Sequence, residues 1–306
     1  MKRDAPHAAP SPLDHMIAIV QQLVPRDGRV ATAVPFLSLM RASQPSPVTR
    51  GVLKPSCCFI LQGHKRVQLG DETLDYGPGE FLLATLDLTA SGSIVNATPE
   101  QPYLLLNMEL DPADIAAVVA EAQIDLSAPA QPVRGAFVGK TDGDLMEAWY
   151  KLLRLLLGPA REAAFLAVGL KREILYRLLK GPYGPQLYQN VMLDQQDQGI
   201  SKAIGWLRER YDQNIKVEEL AQAMHMSVSS LHHRFKAVTL MGPLQYQKQL
   251  RLQQARTLLM GGDIDAGSAA YRVGYASASQ FSREYRRLFG AAPMQDMKNL
   301  RARSEP

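Results

Sequence analysis

Two short runs place hydrogen-bonding side chains at helical spacing. Ser229, His232, His233 and Lys236 recur at i, i+3, i+4 and i+7, so on a helix they form one polar stripe. Leu231, Phe235 and Val238 fall on the opposite stripe. Ser279, Gln280, Arg283, Arg286 and Arg287 repeat the arrangement over an inner face of Phe281, Tyr285 and Leu288. Neither run holds a nucleophile–base pair or a metal-ligand set. Such stripes can exchange hydrogen bonds with flat polar edges and neutralise anions, and a guanidinium fork grips two acceptors at once. These are the needs of base edges and phosphates in nucleic acid.

The flanking residues supply what such helices require. Ser227 stands where it can cap a helix from Val228 to Val238, and Val217 to His225 ahead of it reads as a second helix with Leu220 and Met224 as its apolar stripe. Ala221 is small where two helices must cross closely. Ile200 to Tyr211 precedes them, with Ile204 and Leu207 on one face. The same plan recurs downstream. A long amphipathic helix, Pro243 to Met260, ends at Gly261-Gly262. A short alanine-rich helix, Asp265 to Val273, stops at Gly274, and Ser277 or Ser279 caps the last one, which ends at Phe289-Gly290. Helix, tight turn, helix with a polar outer stripe is the helix-turn-helix arrangement, here twice in tandem.

Charge is distributed accordingly. Of the 34 Lys and Arg and 30 Asp and Glu, residues 199–306 hold 16 and 9, a local excess of +7, whereas residues 1–198 carry 18 and 21. Basicity concentrated in one half points to a polyanion partner. No apolar run reaches membrane-spanning length, and the polar, proline-bearing start lacks a secretory core, so a cytoplasmic protein that does not engage membrane is expected.

The first half reads differently. Residues 31–110 alternate like short strands, with turns at Gly70-Asp71 and Tyr76-Gly77-Pro78-Gly79, which suggests a small antiparallel barrel or sandwich. Cys57, Phe59 and Leu61 share one strand face, so alternation predicts one buried and one outward cysteine in Cys57-Cys58. Asp111-Pro112 starts a helix, and 127–141 reads as a connector. Asp144 to Leu157 and Arg161 to Leu179 then form an antiparallel helical pair whose apolar stripes include Trp149, Phe165, Leu166 and Ile174, as intramolecular core or as a dimer interface. The expected organisation is an arm at 1–30, a β-barrel with following helices at 31–180, a linker at 181–198 and an all-α domain of two helix-turn-helix units at 199–300.

Other residues carry reactive groups. Cys57 and Cys58 are candidates for sensing oxidants or electrophiles, with Lys54, Lys65 and Arg66 near enough in sequence to lower a thiol pKa. His64 is a candidate for an effector site. A metal is not expected, because His64 is the only histidine between residues 16 and 224 and His232-His233 diverge around a helix. No cofactor is implied, and no catalytic set stands out.

At Ser277-Ala278-Ser279-Gln280-Phe281-Ser282-Arg283-Glu284-Tyr285-Arg286-Arg287-Leu288-Phe289-Gly290, followed by Pro293, the sequence resembles the signature of the AraC/XylS family of bacterial transcription regulators. Val273-Gly274-Tyr275, and Pro243, Tyr246, Arg251 and Ala255 in the joining helix, fit the same pattern. By position, the resemblance places base reading on Ser229, His232 and His233 in the first unit and on Ser279, Gln280 and Arg283 in the second. Lys236, Arg286 and Arg287 are expected at phosphates. The first unit departs in having no arginine at a base-reading place. Ala269 replaces a bulkier aliphatic, from which looser packing is expected.

Leu61-Gln62-Gly63-His64-Lys65, Tyr76, Gly79 and Pro102-Tyr103-Leu104-Leu105 resemble the cupin-type N-terminal domain of one subgroup of that family. This implies a barrel that binds a small-molecule effector or mediates association. The sequence reading is therefore an α+β regulator of transcription: a cupin-like N-terminal barrel and a double helix-turn-helix reader. Its partners would be promoter DNA, an effector, a second copy of itself and RNA polymerase. The alternative, a cupin metalloenzyme fused to a DNA-binding domain, requires a ligand cluster that the sequence lacks.

Overall fold

The computed structural model describes residues 11–126, 134–195, 199–262 and 264–302. Parts of the expected arm, of the 127–141 connector and of the 181–198 linker lie outside the described residues. The chain opens with α1 (Pro12–Leu23), started by a reciprocal capping box between Ser11 and Asp14. Nine strands follow: β1 (Gly28–Ala31), β2 (Leu37–Ala42), β3 (Thr49–Leu53), β4 (Ser56–Gln62), β5 (His64–Leu69), β6 (Glu72–Tyr76), β7 (Glu80–Ala84), β8 (Leu88–Asn96) and β9 (Tyr103–Glu109). Then come α2 (Pro112–Ala122), capped by Asp111, β10 (Ala136–Lys140), α3 (Gly143–Leu155), α4 (Ala160–Lys180) and α5 (Gly184–Gln195).

The strands form two antiparallel sheets. One runs β1-β2-β9-β4-β7-β10 and the other β3-β8-β5-β6, with no strand pairing joining them among the described residues, so the barrel is open. The hairpin turn between β5 and β6 falls at Gly70-Asp71, where Gly70 takes φ +56°. Two stretches read as connectors carry structure. Residues 136–140 form an edge strand on β7, and α5 lies inside the stretch read as linker. The strand has only five residues and α5 has no marked apolar periodicity, so neither declares itself in sequence.

The six-stranded sheet is covered on both faces. Cys57, Phe59 and Leu61 of β4 face a helical layer with Met16, Val20, Trp149, Leu152 and Ile174. Cys58 and Ile60 face the other sheet, with Val67, Leu69 and Ile94. Cys58 is therefore 3% exposed, not outward-facing as alternation alone implied. Alternation assigns a face, and here the second sheet covers that face. The α3–α4 pair buries Leu145, Trp149, Leu152, Ile174, Leu175 and Leu178 as expected. Phe165 and Leu166, expected in its core, are 80% and 44% exposed instead, because they lie outside the face of α4 on which Ala163, Ala167 and Ile174 are buried.

The remaining helices are α6 (Ile200–Glu209), α7 (Val217–Ala223), α8 (Val228–Thr239), α9 (Pro243–Met260), α10 (Ala266–Arg272), α11 (Ala278–Phe289) and α12 (Pro293–Ala302). The first three pack with the start of α9, and their core is continuous with the interior between the sheets. Gly135 N–H donates to Val238 O (3.1 Å), Tyr246 Oη donates to Asp87 O (2.8 Å), and Arg208 pairs with the Asp87 carboxylate. The second half of α9 with α10, α11 and α12 encloses a separate core. Among the described residues no helix is long and apolar enough to cross a membrane.

Candidate nucleic-acid interface

In the first unit α7 and α8 meet through a turn at His225, which takes φ +52°. Ser227 caps α8 by accepting from Ser230 N–H (3.2 Å). Leu231 and Phe235 are fully buried, and Phe235 meets Tyr246 of α9 edge-on at 5.5 Å between ring centres. That anchoring leaves Ser229, His232, His233 and Lys236 exposed on the far side, as their spacing required. His232 leans back over Gly242 at the start of α9. Lys236 borders a cleft against the four-stranded sheet, alongside Arg50 and Asp71. Leu244, near the start of α9, is 45% exposed.

In the second unit Gly274 makes the turn at φ +84°, and a Cβ there would sit 1.9 Å from Asp212 O. Only glycine satisfies both the backbone and the space. Ser277, not Ser279, caps α11, accepting from Gln280 N–H (3.3 Å). Tyr275, Phe281, Tyr285 and Phe289 pack in series, edge-on and then tilted, with successive ring centres 4.4 to 5.4 Å apart. Ala269 is fully buried within this core. Ser279, Gln280, Arg283, Arg286 and Arg287 are exposed. The three arginines have no ion-pair partner among the described residues, so one helix face presents concentrated, unneutralised positive charge.

The positioning roles of several residues escaped the sequence reading. Arg251 donates to Tyr211 O (2.6 Å), Gln213 O (2.7 Å) and Gly274 O (2.9 Å), fixing the end of the first unit against the turn of the second. Gln247, one helical turn earlier, donates to Gln213 O (2.8 Å). Glu284 on α11 accepts from Tyr275 Oη (2.9 Å), Lys248 Nζ (3.1 Å) and the Gln280 amide (3.3 Å). Burial alone would raise the Glu284 pKa, but these donors outweigh it and hold the carboxyl below its ordinary value. Gln280 is thereby oriented before any ligand arrives. Asp296 of α12, only 5% exposed, accepts two bonds from Arg256 (2.8 and 2.9 Å) and one from Tyr285 Oη (2.8 Å). No helix at 293–302 was anticipated, although Pro293 at its first turn is the available signal.

The structure places the other candidates apart from this face. Cys57 is fully buried, and burial, then the neighbouring Cys58, push its thiol pKa well up, the reverse of what thiolate chemistry needs. Cys58 donates to Asn107 Oδ1 (3.1 Å). His64 is exposed and packs over Gly77. Between the sheets, the hydroxyls of Tyr76 and Tyr103 are buried without a hydrogen-bond partner. Lys65, the cross-strand neighbour of Tyr76, has its pKa lowered chiefly by burial. Among the described residues no group of three or more His, Cys, Asp or Glu is arranged to hold a metal.

Comparison with known proteins agrees with this layout. The family described as AraC-type transcriptional regulator N-terminus matches residues 33–186, and a helix-turn-helix domain family matches 220–299. The chain is 28% identical over 149 residues to the HTH-type transcriptional activator RhaS of Pectobacterium carotovorum subsp. carotovorum (strain PC1), covering 49% of this chain and 52% of that protein. RhaS of Klebsiella pneumoniae (strain 342) is 32% identical over 97 residues, 32% of this chain and 35% of that one. The chain thus spans about half the length, or less, of these relatives. Among solved structures, ToxT from Vibrio cholerae superposes with a TM-score of 0.55 at 12% identity, covering 85% of this chain and 97% of that one. The same organism's wild-type ToxT bound to an unsaturated fatty acid gives 0.54 at 8% identity, covering 85% and 94%. RhaS is described as a transcriptional activator. With the family match spanning half of the chain, two tandem helix-turn-helix units and an open two-sheet N-terminal half of the same fold, the protein belongs to the AraC-type transcriptional regulators.

Proposed function

We propose that the chain regulates transcription by binding a specific double-stranded DNA site through α8 and α11. The observation that carries this is the exposed outer face of α11, where Arg283, Arg286 and Arg287 stand unneutralised over a fully buried aromatic core. Arg283 reads a base edge, with Ser279 and the pre-oriented Gln280 beside it. Arg286 and Arg287 hold phosphates, as does Lys236 in the first unit. Ser229, His232 and His233 read the first box with less discrimination, because none can form the two-point contact that arginine makes with guanine.

The N-terminal half binds a small-molecule effector and mediates self-association. Support for the effector comes from the unpartnered Tyr76 and Tyr103 hydroxyls and the half-buried Lys65 between the sheets, since buried polar groups ordinarily find partners. Effector occupancy reaches the reader through the shared core at Leu86, Leu88, Val238 and Met241. Contact with RNA polymerase and action in the cytoplasm belong to the same reading. The test is selection from a random DNA pool with purified protein at about 150 mM salt, held fixed because affinity depends steeply on it. Two enriched boxes about one helical turn apart support two working readers, and one box assigns the reading to α11 alone. No enrichment, with or without the N-terminal half, refutes the proposal.

A further inference from the structure

The edge of the four-stranded sheet is mounted on the readers. A Cβ on Gly70, at the β5–β6 turn, would sit 2.5 Å from Leu240 O at the end of α8. Thr89 Oγ1 of β8 lies 3.2 Å from Met241 Sδ, and the Gln253 amide of α9 donates to Gly51 O of β3 (2.9 Å). These contacts fix the edge strand β3 against the helix that joins the two readers.

Between sheet and readers is an open cleft of about 470 Å³. Its floor is α9, through Gln245 and Gln249, and its ends are Lys236 of α8 and Leu288 of α11. Arg50 of β3 and Asp71 of the β5–β6 turn line it from the sheet. Lys236 belongs to the outer stripe of α8 that also carries Ser229, His232 and His233, so the cleft opens on the face that α8 presents to DNA.

The lining thus holds two cations and one acid, and none of the three has an ion-pair partner among the described residues. Arg50 is half-buried, and burial, then the nearby charge of Arg256, lowers its pKa. Arg256 is itself held by Asp296. A partly desolvated cation with a cation for a neighbour and no counter-ion costs free energy that an incoming anion relieves.

We infer that Arg50 holds a DNA backbone phosphate between the two boxes, with Lys236 beside it. The inference rests on the reading that α8 and α11 bind DNA, and it adds a contact from the half of the chain that carries no reader. Two recognition helices in successive major grooves leave a stretch of backbone crossing the protein between them. The cleft occupies that interval, since each recognition helix forms one of its ends. Its chemistry suits a phosphate: a guanidinium and an ammonium meet the charge, and the Gln245 and Gln249 amides are further donors. A phosphate contact positions without specifying, so Arg50 carries affinity and register but no base preference.

The test is a phosphate scan with the full chain at fixed salt, replacing single backbone phosphates of the selected site by neutral methylphosphonates. Wild type loses affinity at a phosphate between the boxes, and Arg50→Ala shows no loss at that phosphate. Arg50→Ala also binds about 10-fold more weakly on every sequence, and its log–log salt slope is shallower by about one. Arg50→Lys keeps the charge and the sensitivity, which separates a lost contact from a disturbed strand. Equal sensitivity in wild type and Arg50→Ala overturns the inference. So does tighter binding by Arg50→Ala, which would make the sheet edge an obstacle to DNA. Inorganic phosphate probes the other source of the same chemistry. If it raises the thermal midpoint of wild type but not of Arg50→Ala, against chloride of matched ionic strength, and the scan shows no loss between the boxes, the cleft takes a free anion and the inference falls. A chain that binds no DNA refutes the reading of α8 and α11, whereas one that binds and is indifferent at Arg50 refutes only this contact.

Discussion

Replacing Tyr285 with phenylalanine removes one oxygen and nothing else from the second reader. That hydroxyl donates to Asp296, which Arg256 also holds by two bonds. Burial, and then the bond to Asp296, raise the phenol's pKa, so it remains a donor throughout the working pH range. A hydrogen bond to a charged group contributes about 1.5–3 kcal/mol. The Asp296 carboxylate keeps its two guanidinium bonds in the variant, which places the loss near the lower end, about 1.5 kcal/mol. With a urea slope of about 1–1.5 kcal/mol/M for a unit of this size, the midpoint should fall by about 1 M. The effect should be local, because the core around Phe281 and Tyr285 is separate from the core that joins the first reader to the sheets. The chain's two tryptophans report on that division. Trp149 lies in the helical layer and Trp206 packs on the first reader, so tryptophan fluorescence does not see the second unit, whereas far-ultraviolet circular dichroism sees its helices. Tyr285→Phe should move the dichroism transition to lower urea and leave the fluorescence transition in place. Two transitions shifting together by the same amount would refute the independence of the second unit. No shift in either would refute the stabilising role of the bond.

Other outcomes follow from the same geometry. Arg283→Ala should cost about 1–3 kcal/mol at the selected site and relax base preference at one position, measured by titration of single-base variants at fixed salt; equal weakening on every sequence would make Arg283 a phosphate contact. Glu284 has a native pKa below its unfolded value, so its contribution is complete above the ordinary glutamate range and disappears as pH falls through the lowered native value. The stability gap between wild type and Glu284→Gln should therefore be full at neutral pH and close on acidification below about pH 4, and a gap independent of pH counts against the proposed donors. Asp87→Ala removes the partner of Arg208 at the junction of reader and sheets but leaves the Tyr246 bond to the Asp87 backbone. With Arg208 half-exposed, the change should cost no more than about 1 kcal/mol, seen as faster amide exchange at Gly135, whose N–H donates to Val238.

The reader was legible in sequence because its determinants are local. Ser227, Ser277, Asp265 and Gly274 act within a few residues of themselves, and helical periodicity separates an outer face from an inner one. The limits of α9 at Pro243 and Met260 and the exposure of both polar stripes follow from that periodicity. What periodicity assigns is a side, not what covers it. Cys58 was assigned the right face and the wrong environment, because a second sheet occupies that side. Phe165 and Leu166 were assigned to a core because they are apolar, but they lie outside the face of α4 that carries the buried Ala163 and Ala167. The clamp of Arg251 on Tyr211, Gln213 and Gly274, the bond from Gly135 to Val238, and the burial of Asp296 between Arg256 and Tyr285 join positions from eleven to more than a hundred residues apart. Their partners carry no mark in the local pattern. Sequence by itself determined which surfaces are polar and where helices begin and end, since both depend on neighbours along the chain. Tertiary structure alone decided which of those surfaces are covered, which charges are neutralised, and that the first reader shares a core with the sheets while the second has a core of its own.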